Sequence, residues 1–400
     1  MIVGAGIGGL TAALSLQRHG VRVSVYEQAS ELKEFGAGLM VTPNAMHALD
    51  FLGVGGAIAA TSNVSPGVLI KHYHTGEVLQ RRSDGDTHRL KYGAGHFQVH
   101  RADLHCALST AVLANDPGCI HLDHGFADLE QRQTGVLARF ANGAVASADV
   151  LIGCDGCRSV VRDKVHGSAP VAYTGQVAFR ALVPAARLPQ ELRTLARCLY
   201  IGPGRMFLHY LLRKGSLANL VAIARQPRWQ AEGWAIRAEV SELLELYEDF
   251  HPQVLDIIKS VEPDALFKWG LRDREPLPQW TIGRVSTLGD AAHPMSPFLG
   301  QGAVMAIEDG MVLGRCFADA CAPEDALAMY EEARKQRANA VQLQSREQAN
   351  ALQCSLGDFN PGRPAEDRGL FDYNPVTVPL RSAAQAITRR AGEISSVIAP

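Results

Sequence analysis

Three groups of residues in this chain have the types and spacing that chemistry requires. Gly4-Ala5-Gly6-Ile7-Gly8-Gly9 satisfies G-x-G-x-x-G, and Glu27 follows eighteen positions after Gly9. In that pattern Gly4 permits a tight turn and Gly6 lets a pyrophosphate come against the backbone. Gly9 lets a helix pack closely on a strand, with the helix N-terminus facing the phosphate charge. A carboxylate at the spacing of Glu27 accepts hydrogen bonds from an adenosine ribose. The second group is Gly153-Cys154-Asp155-Gly156-Cys157-Arg158-Ser159-Val160-Val161-Arg162. The third is Gly289-Asp290-Ala291-Ala292-His293-Pro294, leading on to Gly300-Gln301-Gly302-Ala303. An aspartate that follows a glycine at a strand's carboxyl end bonds sugar or sugar-alcohol hydroxyls. A Gly-Gln-Gly run at a helix N-terminus offers backbone N–H groups to an anionic carbonyl or a pyrophosphate.

These groups need elements to hold them. Met1-Ile2-Val3 reads as a short strand, Leu10 to His19 has helical spacing closed by Gly20, and Val21 to Tyr26 reads as a second strand ending at Glu27. Strand, glycine turn, helix, strand and acid in that order make a dinucleotide fold, which alone leaves NAD and FAD open. Ala148 to Gly153 and Trp280 to Leu288 read as further strands that end at the second and third groups. Leu199 to Ile223 holds two strand-like runs split by Arg213-Lys214-Gly215, a hairpin signal, and Val240 to Phe250 is amphipathic. Ala303 to Ala320 and Pro323 to Leu352 read as long helices, the second with acids in its first turn. Beyond Ser355 the chain turns rich in Pro and Gly, which predicts a loosely packed tail. The fold class is α/β, a parallel core interrupted by a hairpin-rich block.

Composition narrows the function classes. Lys+Arg of 39 against Asp+Glu of 41 leaves a net charge of −2, which asks for neither nucleic acid nor an anionic membrane. No apolar run approaches the ~20 residues of a membrane span. Leu39 to Ala60 comes nearest and is broken by Thr42, Pro43, Asn44, His47 and Asp50. No basic segment precedes the apolar start, as a signal peptide requires, and eight scattered cysteines make no disulfide framework. The expectation is a cytoplasmic protein, monomer or homodimer.

The three motifs in this order resemble the FAD-dependent aromatic hydroxylases, the single-component group A flavoprotein monooxygenases, and most nearly the relatives of salicylate hydroxylase, 3-hydroxybenzoate 6-hydroxylase and 6-hydroxynicotinate 3-monooxygenase. Gly36-Ala37-Gly38 with Pro43-Asn44, His100-Arg101-Ala102-Asp103-Leu104, Phe179-Arg180-Ala181-Leu182-Val183-Pro184 and Arg274-Glu275-Pro276-Leu277-Pro278 match as well. The resemblance spans about residues 1 to 350. It implies a p-hydroxybenzoate hydroxylase-like architecture. A Rossmann-like FAD-binding domain would take residues 1–72, 98–170 and 280–350, and an inserted, largely antiparallel β-sheet substrate domain 73–97 and 171–279. A long C-terminal helix and a tail from 351–400 would follow. It further implies FAD, NADH or NADPH as reductant, O2 as co-substrate, and hydroxylation of a small phenolic aromatic acid, salicylate- or hydroxybenzoate-like, through a flavin C4a-hydroperoxide.

Carried over by residue, the resemblance makes Glu27 the adenosine ribose ligand, Gly38 a backbone contact, and Arg101 a partner on the pyrophosphate side. Asp155 would belong to a motif serving FAD and the nicotinamide donor, Asp290 would bond the flavin's sugar-alcohol chain, and Pro297, Gly300, Gly302 and Ala303 would lie beside the isoalloxazine ring. Some relatives carry a histidine four positions before a tyrosine where this chain has Met206 and Tyr210, and Met40 takes another position that can be histidine. Strand alternation turns His209 away from Met206 and Tyr210. Methionines make an apolar, adaptable wall, which favours a benzenoid phenol over a hydroxypyridine. Tyr210 is expected to meet the substrate hydroxyl with no histidine acting as base; the plainer reading makes it a core strand residue. Arg82, Arg180, Arg205 and Arg213 are equal candidates for a substrate carboxylate.

Other signals are weaker. A single Cys154-x-x-Cys157 without a second pair reads as incidental, and two potential ligands, Asp290 and His293, make no metal site. His72, His74, His88, His96 and His100 read as surface or strand-edge residues, and Glu331 to Arg337 as a solvated helix face. Two other functions stay open: an enzyme of the same fold acting on a non-aromatic or larger substrate, and a non-catalytic flavin-binding sensor.

Overall fold

Short apolar segments separated by helices build the first layer. In the computed structural model, which describes residues 1–32, 37–83, 85–193, 197–229, 236–352, 363–364 and 366–381, Ile2–Val3 lies between Leu151–Gly153 and Val25–Tyr26 and is parallel to both. Val285–Thr287 and Ile120–His121 extend the sheet in parallel on either side, and Thr281–Ile282 closes one edge antiparallel. Parallel strands are covered on both faces, and Ile2, Val25, Leu151, Ile152 and Val285 are buried. The helices Ile7–Arg18 and Gly302–Asp319 pack together here, Ser15 Oγ donating to the Met311 carbonyl at 3.2 Å.

Two strands differ from the sequence reading. Only Val25–Tyr26 of the expected Val21–Tyr26 pairs, because Val21 N and Gly20 N close the preceding helix on the carbonyls of Leu16 and Gln17. Trp280 to Leu288 is a hairpin rather than one strand, since Gly283 at φ +60° turns the chain between Ile282 and Val285.

The second layer is an eight-stranded sheet. In spatial order its strands are Ile236–Arg237, Phe267–Asp273, Ala172–Pro184, Leu217–Arg225, Arg205–Leu212, Arg197–Gly202, Val68–His72 and Val78–Arg82. Every neighbouring pair is antiparallel except Arg197–Gly202 with Val68–His72. The sheet thus takes in Val68–His72, on the amino-terminal side of the expected 72/73 boundary. The hairpin at Arg213-Lys214-Gly215 forms as read, while Gly204 at φ +64° splits the run before it into two strands. Alternation gives this sheet two apolar faces. Phe179, Phe207 and Leu220 pack with Leu243 and Ile257 from the helices Val240–Leu246 and Pro252–Lys259 and with Tyr247, which caps the first, while Ala178, Met206, Val221 and Ile223 turn the other way.

A small sheet of Gly38–Val41, Phe97–His100 and Asn63–Val64 joins the two layers. The helix Pro323–Leu352 has the expected bounds. The tail is not loose where it is described: Leu370 and Phe371 are buried in the main core, and the Phe371 ring meets His88, Tyr92 and His96 edge-on. Val376, Val378 and Leu380 pack against the same core, so a few apolar residues dock a stretch that composition reads as unstructured. Gly36 and Ser355 lie outside the described residues. Among the described residues no helix is long and apolar enough to cross a membrane.

Candidate active site

The glycine turn sorts its residues by what surrounds them. Gly4 sits at φ +101°, where a Cβ would lie 2.5 Å from the Cys154 carbonyl oxygen, and a Cβ on Gly9 would collide with the Gly4 carbonyl. These two glycines serve the turn and the packing of helix on strand. A Cβ on Gly6 would meet nothing within 4 Å. The second glycine therefore faces open space at a helix N-terminus that no side chain caps, the cradle a pyrophosphate fills. Glu27 stands over this turn, its carboxylate accepting from Ala5 N at 2.8 Å and Ala29 N at 2.9 Å. Buried His105, which the sequence reading did not single out, donates Nε2–H to the Ala5 carbonyl at 2.8 Å and supports the turn from behind.

Asp155 and Asp290 looked alike in sequence and differ in structure. Both Asp155 oxygens are used locally, Oδ1 accepting from Ser159 Oγ at 2.5 Å and Oδ2 from Val161 N at 3.0 Å. Burial pushes its pKa up while those two bonds pull it back. It braces the start of the helix Val160–His166, whose N-cap is Ser159. Asp290 opens into a cavity and accepts no hydrogen bond from the described residues. The protein around it raises its carboxyl pKa, against the pull of His293 and Arg101. Arg162, the buried last residue of the second motif and one left without a role in the sequence reading, ties that motif to the third by donating to the carbonyls of Cys157 and Ala291, each at 3.1 Å.

A buried charge network fixes the loop that presents Asp290. Asp309 Oδ2 takes Gly289 N at 3.2 Å and lies 2.6 Å from His293 Nε2, while its Oδ1 accepts from Arg334 Nε at 2.7 Å. Burial would raise the Asp309 carboxyl, but His293 and Arg334 outweigh it and hold the pKa below the ordinary value. Arg334 also pairs with Glu308 at 2.7 Å, and Glu308 accepts from Arg337 at 2.9 Å and from Asn44 Nδ2 at 2.6 Å. The Glu331 to Arg337 stretch is therefore not simply a solvated face: Glu331 and Arg334 are fully buried. The available signal was a pair of adjacent carboxylates, Glu308-Asp309, inside the otherwise apolar first three turns of a helix.

Between the two layers lies a cavity of about 750 Å³, the size of a cofactor and small-molecule site. It brings together Gly38, Met40, Arg101, Met206, Tyr210 and Asp290, with Pro297, Gly300, Gly302 and Ala303 along one side. Gly4, Gly6, Gly9, Glu27 and Asp155 are not among its lining residues and form the turn and brace just described. Tyr210 is buried, and burial pushes its phenol up to about 12, with Arg180 and Arg197 pulling downward. Its hydroxyl stays protonated at neutral pH. A Cβ on Gly38 would lie 2.6 Å from that hydroxyl, so the close approach of Tyr210 requires glycine there; Gly38 N donates to Asn219 Oδ1 at 2.8 Å.

His209 faces the opposite core, beside Tyr200, and burial drives its pKa down to about 3. The histidine reading needs correction elsewhere: His88, His96 and His100 are buried, and His88 and His96 stack with their Nδ1 atoms 3.1 Å apart. Arg205 and Arg213 are held in two-point contacts by Asp249 and Asp103, whereas Arg82 and Arg180 line the cavity. Cys154 and Cys157 are free thiols, and burial raises both, Cys157 to about 11.

An uncapped helix N-terminus at a glycine turn, a carboxylate over that turn, an aspartate aimed into a cavity and an antiparallel wall opposite it fit a dinucleotide-dependent enzyme. The chain belongs to the FAD binding domain family, whose pattern matches residues 1–345. It is 36% identical over 352 residues to 3-hydroxybenzoate 6-hydroxylase of Klebsiella oxytoca, 87% of each chain. It is 34% identical over 346 residues to 6-hydroxynicotinate 3-monooxygenase of Pseudomonas fluorescens, covering 85% of this chain and 88% of the other. A solved salicylate hydroxylase substrate complex matches with a TM-score of 0.72 at 25% identity, over 99% of this chain and 94% of that one. The chain is a flavoprotein monooxygenase that uses FAD, NAD(P)H and O2.

Proposed function

We propose that this monooxygenase hydroxylates a small phenolic aromatic acid of the salicylate or hydroxybenzoate kind within the cavity between the two layers. The observation that carries the reading is Tyr210: a protonated phenol on a methionine-walled cavity face, beside two arginines. Glu27 would hold the adenosine ribose, and the turn at Gly4, Gly6 and Gly9 the pyrophosphate, with Arg101 on the same side. Asp290 would hold the flavin's sugar-alcohol chain, with Pro297, Gly300, Gly302 and Ala303 against the ring system. When bound, FAD takes electrons from NAD(P)H and activates O2 so that one oxygen atom enters the aromatic ring.

The protein's own part is positioning, exclusion of water and control of a proton. Tyr210 Oη donates a hydrogen bond to the substrate's hydroxyl oxygen and orients the ring. Met40 and Met206 pack on the ring faces and keep water out. Among the described residues of the sheet face that carries Met206 and Tyr210 no histidine takes the phenolic proton, since His209 points into the other core. The purified, FAD-loaded protein is tested with a panel of hydroxybenzoates, hydroxynicotinates and non-aromatic acids under 18O2. Substrate-stimulated NAD(P)H loss with one labelled oxygen in a hydroxybenzoate product supports the reading. Product labelled from water, stimulation by non-aromatic substrates alone, or no stimulation at all overturns it.

A further inference from the structure

The cavity face of the large sheet is built from Ala178, Leu199, Met206, Leu208, Val221 and Ile223, an apolar surface. Arg180 stands within it. It lies on Ala172–Pro184 opposite Val221, which in turn faces Leu208. Its chain neighbours Phe179 and Ala181 point into the opposite core, so alternation commits Arg180 to the cavity. Its guanidinium carbon sits 5.4 Å from the Trp269 ring centroid, and its buried Nε has no hydrogen-bond partner. Among the described residues no carboxylate pairs with it.

Three other charged groups on the cavity lining are committed to protein partners. Arg82 donates to Gln80 at 3.1 Å and lies 3.7 Å from Asp367, while Asp273 is held by Arg346 at 2.6 Å. Glu366 lies 3.3 Å from His88 and 3.7 Å from Lys91. Burial lowers the Arg180 pKa, Tyr210 pulls it back, and Arg101 adds to the lowering. An enclosed guanidinium under repulsion from a second cation is costly until an anion joins it. The Trp269 ring face covers the guanidinium on one side, and the partner a guanidinium matches best is a planar, two-oxygen group.

We propose that Arg180 is the residue that selects the substrate's charge, binding the carboxylate of the aromatic acid while Tyr210 takes its hydroxyl. This rests on the aromatic-acid reading above and chooses among four arginines that the sequence left equal. It makes the enzyme specific for acids over neutral phenols of the same shape.

The test titrates FAD-loaded protein, followed by flavin absorbance, with salicylate and 3-hydroxybenzoate and with their neutral isosteres salicylamide and 3-hydroxybenzamide. Wild type should favour the acids by at least about tenfold, the scale of one charge-assisted bond. Arg180→Gln should lose about 10- to 100-fold in acid affinity and leave the amides unchanged, while Arg180→Lys recovers part of the loss. Arg205→Gln, an arginine held by Asp249 outside the cavity, should change neither. A wild-type acid-to-amide ratio near one overturns the assignment without any variant. So does equal loss for acids and amides, no loss in Arg180→Gln, or a loss confined to FAD affinity, which would give Arg180 to the cofactor. If wild type binds no aromatic acid in the panel, the aromatic-acid reading falls and Arg180 falls with it; acid binding that ignores Arg180 overturns only the latter.

Discussion

Tyr210 and His209 are adjacent in sequence and face opposite cores, and that difference decides what each can do. With its phenol pushed up to about 12, Tyr210 is a hydrogen-bond donor at every working pH. Tyr210→Phe should keep FAD bound but lower hydroxylation by about 10- to 100-fold, the worth of one buried hydrogen bond to a reacting group. The ratio of hydroxylated product to NAD(P)H consumed measures it. Unchanged coupling in Tyr210→Phe, with coupling abolished in His209→Ala, would reverse the assignment. His209 has instead a stability signature. Its folded pKa is about 3 against an ordinary 6.5, so the unfolded chain binds the extra proton between those values. Stability is therefore full above about pH 6.5 and falls as pH drops toward 3, by at most ~1.4 kcal/mol per pH unit from this group. Urea unfolding across that range should show a shallower acid decline in His209→Gln than in wild type; parallel declines would mean that His209 is not held neutral.

At the scale of elements, the two aspartate motifs show how far sequence reading reaches. Both follow a strand that ends at a glycine; Asp290 reads as a ligand of the flavin's sugar-alcohol chain and Asp155 as part of a motif serving FAD and the nicotinamide donor. Asp155 is instead bonded to Ser159 and Val161, a partnership that only the turn of the chain creates. Asp155→Ala should destabilise the fold by ~1–2 kcal/mol, the value of a lost helix-start interaction, without a matching loss of FAD affinity. Asp290→Ala should weaken FAD by ~1–3 kcal/mol and leave apo-protein stability nearly unchanged. Denaturation of apo-protein and FAD titration separate the two, and a common pattern for both variants would remove the distinction. The first strand, helix and Glu27 were legible because period, glycine spacing and acid fall within one short local unit. The helix Pro323–Leu352 was legible because its first-turn acids and Pro mark one end. The Thr281–Ile282 and Val285–Thr287 hairpin was not, since a lone Gly283 in a run otherwise rich in β-branched residues carries no more signal than a strand glycine. Tail docking through Phe371 was hidden because its partners, His88, Tyr92 and His96, are remote in sequence.

At the scale of the molecule, one cluster of buried charges joins the helix Gly302–Asp319, the helix Pro323–Leu352 and the loop carrying Asp290. In sequence Arg334 falls in a stretch that reads as a solvated helix face and Glu308-Asp309 draws no reading, because the pairing crosses between helices. Arg334 holds both Glu308 and Asp309, and none of the three is exposed. Replacing a whole buried ion cluster by apolar groups can be neutral, but removing one member leaves its partners charged in a dry site. Arg334→Met should thus destabilise the apo-protein by ~3–5 kcal/mol, more than Arg205→Met, whose partner Asp249 is partly open to water. The damage should travel to the cofactor site, because Asp309 also fixes Gly289 and His293 on either side of Asp290. Ligand binding to the folded state then offers a check: saturating FAD should stabilise Arg334→Met less than it stabilises wild type. Equal FAD-induced gains in the two proteins would show that the network supports the fold alone and does not set the position of Asp290.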